Sequence, residues 1–571
     1  MSNKMKKILS ILLFACMYHS MLAGPADPSP KQYTQPDGSI VTFYLHGDEH
    51  LNWMTDENGE VIEIGEDGYV LRSSMPLVSK FKKAALSRQN ASLRPRMGTQ
   101  IGSRHFIVIL VQYPDCPFIT TTEQFEDFFN GNGAGSTDSV QNYYNEQSDG
   151  LFTPVFDIFG PVTVSNNRAS YKTNAKGALS EALGQLVDSG ALNLSDYITR
   201  NWSNLEYYID DVVMIFAGHS RASGDNDGIW PSRQTGTIYN KGKNYVKSFC
   251  CAPELQGSSG TTLAGIGHIC HEFGHCMGLP DFYDTNSSSH GGNVTHACMD
   301  YSLMGSGSYN NSSKTPPPLS IAERAICGWA NISTDIQPIS ASGNLTLYEI
   351  GQDASRTRAY AIPTDKEGEI FICEYRSLVQ NRWSAGLARG GMLVYHMDKS
   401  DRSVSQDAET ETAADWWDYG IINNNGSHPL FYLIPSGDQS NLKASDKQII
   451  PFPGSQNVIT YNPVSWNNTA SYISLSGIPN VNGASMSFKA HVRAFPLINN
   501  PQGGIYKSGG TFTLKLSPGS EGTESVSQWI YDGDVVGSSD PGPQVTLTDG
   551  VHTIEAVLSS GKKLRLSITA E

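Results

Sequence analysis

Beyond its first two dozen positions, the 571-residue chain has no run of eighteen apolar residues, so the mature chain offers no membrane-spanning helix. It has no CxxC pair, which removes zinc ribbons and thioredoxin-type redox motifs. Charge is scarce, at 17% of residues, and 40 Lys and Arg face 56 Asp and Glu for a net charge of −16. A phosphate backbone rewards clustered cations, so nucleic acid is excluded as the expected partner. Neither an exact internal repeat nor a long low-complexity tract occurs. What is abundant is Gly, Ser, Asn and Tyr beside 39% apolar residues, a balance that suits an extracellular, turn-rich β protein. A chain of this length divides into three or four structural units.

The opening segment, MSNKMKKILSILLFACMYHSMLAG, reads as a secretory signal over 1–23. Three lysines precede an apolar stretch from Ile8 to Cys16 that is too short to span a bilayer. Leu13-Phe14-Ala15-Cys16 also resembles a lipobox, which offers Cys16 as a lipid anchor. Either way the protein is expected to be secreted or held at the cell surface. Export permits disulfides among the eight remaining cysteines, but spacing does not fix their pairing.

Along the chain, 24–97 reads as a small β propeptide with a basic linker. Turn signals at Pro36-Asp37-Gly38, Asn58-Gly59 and Asp67-Gly68 are followed by seven Lys and Arg with no acid over 72–97, a stretch exposed to trypsin-like cleavage. Residues 98–335 mix buried strands, FIVILVQYPD (106–115) and DDVVMIFAGHS (210–220), with helical segments, which implies an α+β domain. Short alternating runs then predict a β-rich domain over 336–495. A β-sandwich follows over 496–571, with Trp529 in its core.

The chemistry concentrates at 268–284, HICHEFGHCMGLPDFYD. His271 and His275 are four apart, so on a helix both imidazoles leave one face a turn apart, as two ligands of a tetrahedral zinc ion require. Glu272 stands at the helix edge, where its carboxylate can take the proton of a metal-bound water that attacks a peptide carbonyl. A chance HExxH in a chain of this composition is expected about 0.02 times. Gly278 can adopt positive φ, end the helix and return the chain so that Asp281 becomes the third protein ligand. His268 reads as a neighbouring or structural histidine, and Cys270 and Cys276 as structural cysteines or disulfide partners. Gly224 to Gly228, GDNDG, carries the oxygen donors of a structural calcium loop without an EF-hand frame; a plain polar turn is the competing reading, and the favoured one.

Met304 in YSLMGSGSYNN (301–311) follows the motif in a Gly- and Ser-rich turn similar to the Met-turn of metzincins. HEFGHCMGLPDFYD, SLMGSGSYN, PPPLSIAERAICGWA, FIVILVQYPDCPF and GIWPSR together resemble the immune inhibitor A family of secreted bacterial metalloproteases. That resemblance implies a multidomain zymogen: a metzincin-like zinc endopeptidase domain preceded by a β propeptide and followed by all-β domains, the last an Ig-like sandwich. It implies protein or peptide substrates, Zn2+ held by His271, His275 and Asp281, and Glu272 as general base. Asp284 competes for the ligand role or stands beside it. Ser306 occupies the position where many metzincins place a catalytic tyrosine, which leaves Tyr301 and Tyr309 as alternatives. The N-terminal unit has no cysteine, which excludes a cysteine switch; a propeptide carboxylate such as Asp37, Asp48 or Glu49 is the hypothesis left open for latency. A catalytically silent surface-binding protein and a zinc hydrolase of non-peptide substrates are the rival classes.

Overall fold

The computed structural model describes residues 21–570 apart from 24–25, 28, 48–51, 58–59, 66–67, 73–99, 132–137, 203–205, 286–296, 352–354, 405–410, 438–449, 469–470, 472, 493–495, 499–504, 507, 517–524 and 562. Cys16, Asp48, Glu49 and nearly all of the basic linker lie outside the described residues. Five antiparallel strands between Lys31 and Arg72 pair in chain order, which accounts for the turn signals read there.

An eight-stranded mixed sheet follows. It contains β1 (Met21–Ala23), β2 (Gly102–Gln112), β3 (Phe152–Thr163), β4 (Arg200–Trp202), β5 (Glu206–Ile209), β6 (Val212–Phe216), β7 (Ser232–Lys241) and β8 (Asn244–Pro253). The main path runs β1-β7-β8-β6-β2-β3, with β5 pairing β8 and β4 pairing β5. Strands β8, β6, β2 and β3 are mutually parallel, while β7 runs antiparallel along one side.

The apolar run in β2 has a direct structural cause. Phe106, Val108 and Leu110 enter one core, and Ile107, Ile109 and Val111 enter another, so both faces of the strand are covered. Helix α1 (Thr122–Asn130), helix α2 (Val140–Gln147) and helix α4 (Gly267–Cys276) pack on the first face, and α3 (Ala175–Asp188) on the second. Thr121 caps α1 in a capping box with Gln124, and Gly131 closes it in the left-handed region. Tyr143 and Tyr144 of α2 are fully buried core residues rather than a surface platform.

Downstream, β9 (Ala359–Pro363), β10 (Glu369–Arg376), β11 (Gly391–Asp398) and β12 (Phe431–Leu433) form consecutive antiparallel neighbours of a five-stranded sheet. Alternation again decides the packing. Leu393, Tyr395 and Met397 of β11 join the core that holds α4, whereas Met392 and Val394 join a separate core. This sheet is therefore a wall of the α4 core, which continues past residue 335 without a break. The second core also takes in Trp529, Leu514 and Leu547 from the C-terminal segment, whose strands form a three-stranded and a five-stranded sheet. No helix among the described residues is long and apolar enough to cross a membrane.

Candidate metal centre

Helix α4 is buried from end to end, with Phe273 edge-on to Phe106 at 4.9 Å and to Tyr144 at 5.2 Å. That aromatic contact anchors the face opposite the histidines. Gly267 lets the helix start against the 308 segment, because a Cβ there would lie 2.0 Å from Ser308 O. At the other end Gly278 has φ of +94°, and the Leu279 N–H donates to Gly274 O at 3.1 Å. The helix thus stops by a left-handed cap where the sequence places glycine.

This turn also orients a ligand. Leu279 O accepts a hydrogen bond from His275 Nδ1 at 2.8 Å, and Leu303 O accepts one from His271 Nδ1 at 2.8 Å. A carbonyl can only accept, so each neutral imidazole carries its proton on Nδ1 and aims the lone pair of Nε2 into the site. Both Nε2 atoms lie 3.4 Å from Asp281 Oδ1. These three ligand atoms fall within 4.8 Å of one another, and all three are buried without a hydrogen-bond partner among the described residues. Donors at 2.0–2.1 Å from a tetrahedral ion stand about 3.3 Å apart, so the observed spacing fits a zinc-sized cation. Burial alone would raise the Asp281 carboxyl, and His275 and His271 lower it well below the usual carboxylate range when their rings are protonated in the metal-free site. Asp281 is therefore the anionic member of the set. Asp284 is not part of this cluster, which is the single group of its kind among the described residues.

Glu272 is buried at 1% exposure between the two histidines in sequence. Met304 lies beneath the helix, where a Cβ on Gly274 would meet its sulfur at 3.0 Å. Its turn is fixed by Ser302, which accepts from Met304 N at 3.0 Å and donates to Glu323 Oε1 at 2.5 Å on helix α5 (Ile321–Ile326).

The remaining candidates separate clearly. His268 points away from the three ligand atoms to Ser313 Oγ at 3.0 Å and meets the Tyr309 ring edge-on at 5.0 Å. Burial pushes its pKa down to about 4, so it is neutral at physiological pH. Tyr301 donates to Arg389 O at 3.1 Å, whereas Tyr309 lies close enough to Glu272 for the carboxylate to raise its pKa further, after burial and the charge of Asp27. Cys270 and Cys276 are buried thiols. The GDNDG segment is a plain turn closed by an ion pair, Asp225 to Arg168 at 2.8 Å. That pairing answers the carboxylate with a guanidinium, against a calcium loop there.

Of the N-terminal carboxylates, Asp37 is spent in an exposed turn with Ser39. Among the described residues of that unit, Asp27 is near the site: its charge acts on His268 and Tyr309, and it pairs with Lys31. Sequence reasoning missed it. It also missed the two orienting carbonyls, which carry no side-chain signal at all.

A helix-borne pair of histidines, a glutamate between them, a returning aspartate and a methionine turn underneath form the arrangement expected of a metallopeptidase site. Residues 107–325 match the catalytic-domain model of immune inhibitor A peptidase M6, and the chain carries an immune inhibitor A-like peptidase domain. Immune inhibitor A of Bacillus thuringiensis subsp. alesti is 27% identical over 37% of this chain and 36% of its own length. Pre-pro-metalloprotease PrtV of Vibrio cholerae serotype O1 is 26% identical over 30% of this chain and 21% of its own length. The matched part thus spans roughly a third of one relative and a fifth of the other.

Proposed function

We propose that this protein is a zinc-dependent endopeptidase, exported from the cell and made as a zymogen, that cleaves extracellular proteins. The observation that carries this reading is the convergence of three orphaned ligand atoms, His271 Nε2, His275 Nε2 and Asp281 Oδ1. A bound zinc ion would supply Lewis-acid polarisation of water and of the scissile carbonyl. Leu303 O and Leu279 O hold the imidazoles in the ligating tautomer. Glu272 takes a proton from the attacking water onto its carboxylate and delivers it to the leaving amine. We assign to Tyr309, which packs beside His268, the hydroxyl that donates to the carbonyl oxygen as charge develops there.

Latency is supported by the N-terminal segment. Asp27, which the assignment below keeps with the propeptide, brings a carboxylate toward His268 and Tyr309. The organisation we assign is a leader over 1–23, propeptide and linker over 24–97, peptidase over 98–335, a β-rich domain over 336–495 and an Ig-like sandwich over 496–571. On that assignment β1 leaves with the leader while Asp27 stays with the propeptide.

The test is casein cleavage by the purified chain before and after limited trypsin, with a chelator arm and Glu272→Ala. Activity that appears on trimming, requires metal and is lost in Glu272→Ala with zinc still bound supports the reading. Bound zinc without cleavage under any trimming contradicts it and favours a silent binding protein.

A further inference from the structure

The loop that carries Asp281 is held from both sides. From below, Phe282 N–H donates to Met304 O at 2.9 Å, which ties the residue after the ligand to the methionine turn. From the other side, Phe282 O accepts from Asn423 Nδ2 at 2.9 Å. Both backbone polar groups of Phe282 are therefore fixed, one by the peptidase segment and one by a residue 141 positions downstream.

Asn423 is fully buried and uses its whole amide. The same nitrogen donates to Phe431 O at 2.7 Å, and its oxygen accepts from Leu430 N and Phe431 N, each at 3.0 Å. It is a strut between β12 and the ligand loop. The next residue repeats the contact: Asn424 Oδ1 accepts from Thr285 N at 3.0 Å and Thr285 Oγ1 at 2.9 Å. The rings of Phe282 and Phe431 pack at 4.7 Å over this junction. No comparable side-chain brace from the downstream region reaches His271 or His275 among the hydrogen bonds of their imidazoles, which go to Leu303 and Leu279.

We propose that Asn423, assisted by Asn424, is a positioning residue for the Asp281 ligand, and that the downstream β region is thereby part of the metal site. The inference rests on the reading of Asp281 as a zinc ligand. Histidine ligands are fixed by their own helix, but Asp281 stands on a turn, and its place depends on what clamps that turn. A bidentate amide with all four hydrogen-bonding positions filled allows one geometry, so the carboxylate is presented ready-made rather than recruited by the metal.

The test uses the full chain and reads zinc affinity by chelator competition, with thermal midpoint and kcat and KM at saturating zinc alongside. Asn423→Asp is nearly isosteric; it keeps both acceptor bonds but sets a carboxylate oxygen against the carbonyls of Phe282 and Phe431. Zinc affinity should fall by about tenfold or more, and kcat should fall with KM little changed. Asn424→Ala should weaken zinc binding less, and carries the same test should Asn423→Asp not fold. Asn425→Ala is the control, because it belongs to the same run and its amide bonds instead to Val404 O at 3.0 Å and to Ser427. It should lower the thermal midpoint and leave zinc affinity unchanged. The inference is overturned if zinc affinity in Asn423→Asp and Asn424→Ala stays within twofold of wild type, or if Asn425→Ala weakens it equally. A wild-type chain that binds no zinc would overturn the metal reading itself, and this inference with it.

Discussion

Two buried clusters in this protein have nearly the same composition and opposite character. One holds His271, His275, Asp281 and Glu272; the other holds His396, His428, Glu369 and Asp398 in the downstream sheet. In the second, Glu369 accepts from His396 at 2.9 Å and from Arg402 at 2.6 Å, and Asp398 accepts from His428 at 2.8 Å and from Arg402 at 3.3 Å. The remaining ring nitrogen of His396 is hydrogen-bonded to the Tyr432 hydroxyl at 2.8 Å. That cluster answers every carboxylate with an internal partner, and Arg402 supplies the cation. In the first, three ligand atoms converge at 3.4 Å with no guanidinium or ammonium among them. Leaving buried polar atoms unpaired costs stability. On the metal-centre reading proposed above, a cation from outside completes the set. Two histidines with two carboxylates are thus a composition, and charge balance decides whether they form a metal site or a structural network.

The comparison can be broken most sharply at Glu272. Glu272→Gln leaves the two imidazoles and Asp281 in place, so zinc should remain bound while kcat falls by about 10³-fold or more. Loss of zinc together with activity would instead make Glu272 part of the metal shell. In the second cluster the corresponding change is Arg402→Met, which removes the internal cation from two buried carboxylates. Unfolding in urea should show a loss of about 3 kcal/mol with zinc content unchanged, and an unaltered midpoint would mean that the cluster is not charge-balanced through Arg402.

A smaller effect distinguishes the clusters by pH. Burial alone would raise the Asp398 carboxyl, but hydrogen bonds from His428 and Ser400 outweigh it and hold the pKa down to about 2. A carboxyl whose folded pKa is depressed adds stability above its unfolded value near 3.8 and loses it as pH falls through about 2. The contribution is about 2 kcal/mol. Asp398→Asn should therefore remove part of the acid-induced fall in thermal midpoint between pH 4 and pH 2, and a parallel curve would show that Asp398 is not its source. The smallest expected change is Tyr309→Phe, which should lower kcat about tenfold without changing zinc content. An unchanged kcat would remove Tyr309 from the chemistry.

The legible parts of this molecule were those written in contiguous residues. HEFGH and Gly278 declare a helix, a shared face and a left-handed stop because helical period and glycine's freedom act over a few positions. FIVILVQ declares a doubly covered strand for the same reason, and β2 has that form. What stayed hidden was set by distant chain segments. His396 and His428 stand in strand-like runs, and nothing in their sequence neighbourhood shows that Arg402 neutralises the carboxylates beside them. Asn423 to Asn425 looks like a turn, because its bonds to Phe282 and Thr285 span about 140 positions. The carbonyls of Leu279 and Leu303 orient the imidazoles through backbone atoms that every residue possesses. Asp27 was passed over for Asp37 because proximity to His268 is a property of the folded chain alone.

The most direct test of the central claim is the zinc stoichiometry and affinity of the full chain beside Asp281→Ala and His396→Ala. One zinc per wild-type chain is expected, retained in His396→Ala and lost or weakened at least a hundredfold in Asp281→Ala. Wild-type affinity in Asp281→Ala, or loss of zinc in His396→Ala, would contradict the assignment of the orphaned cluster as the metal centre.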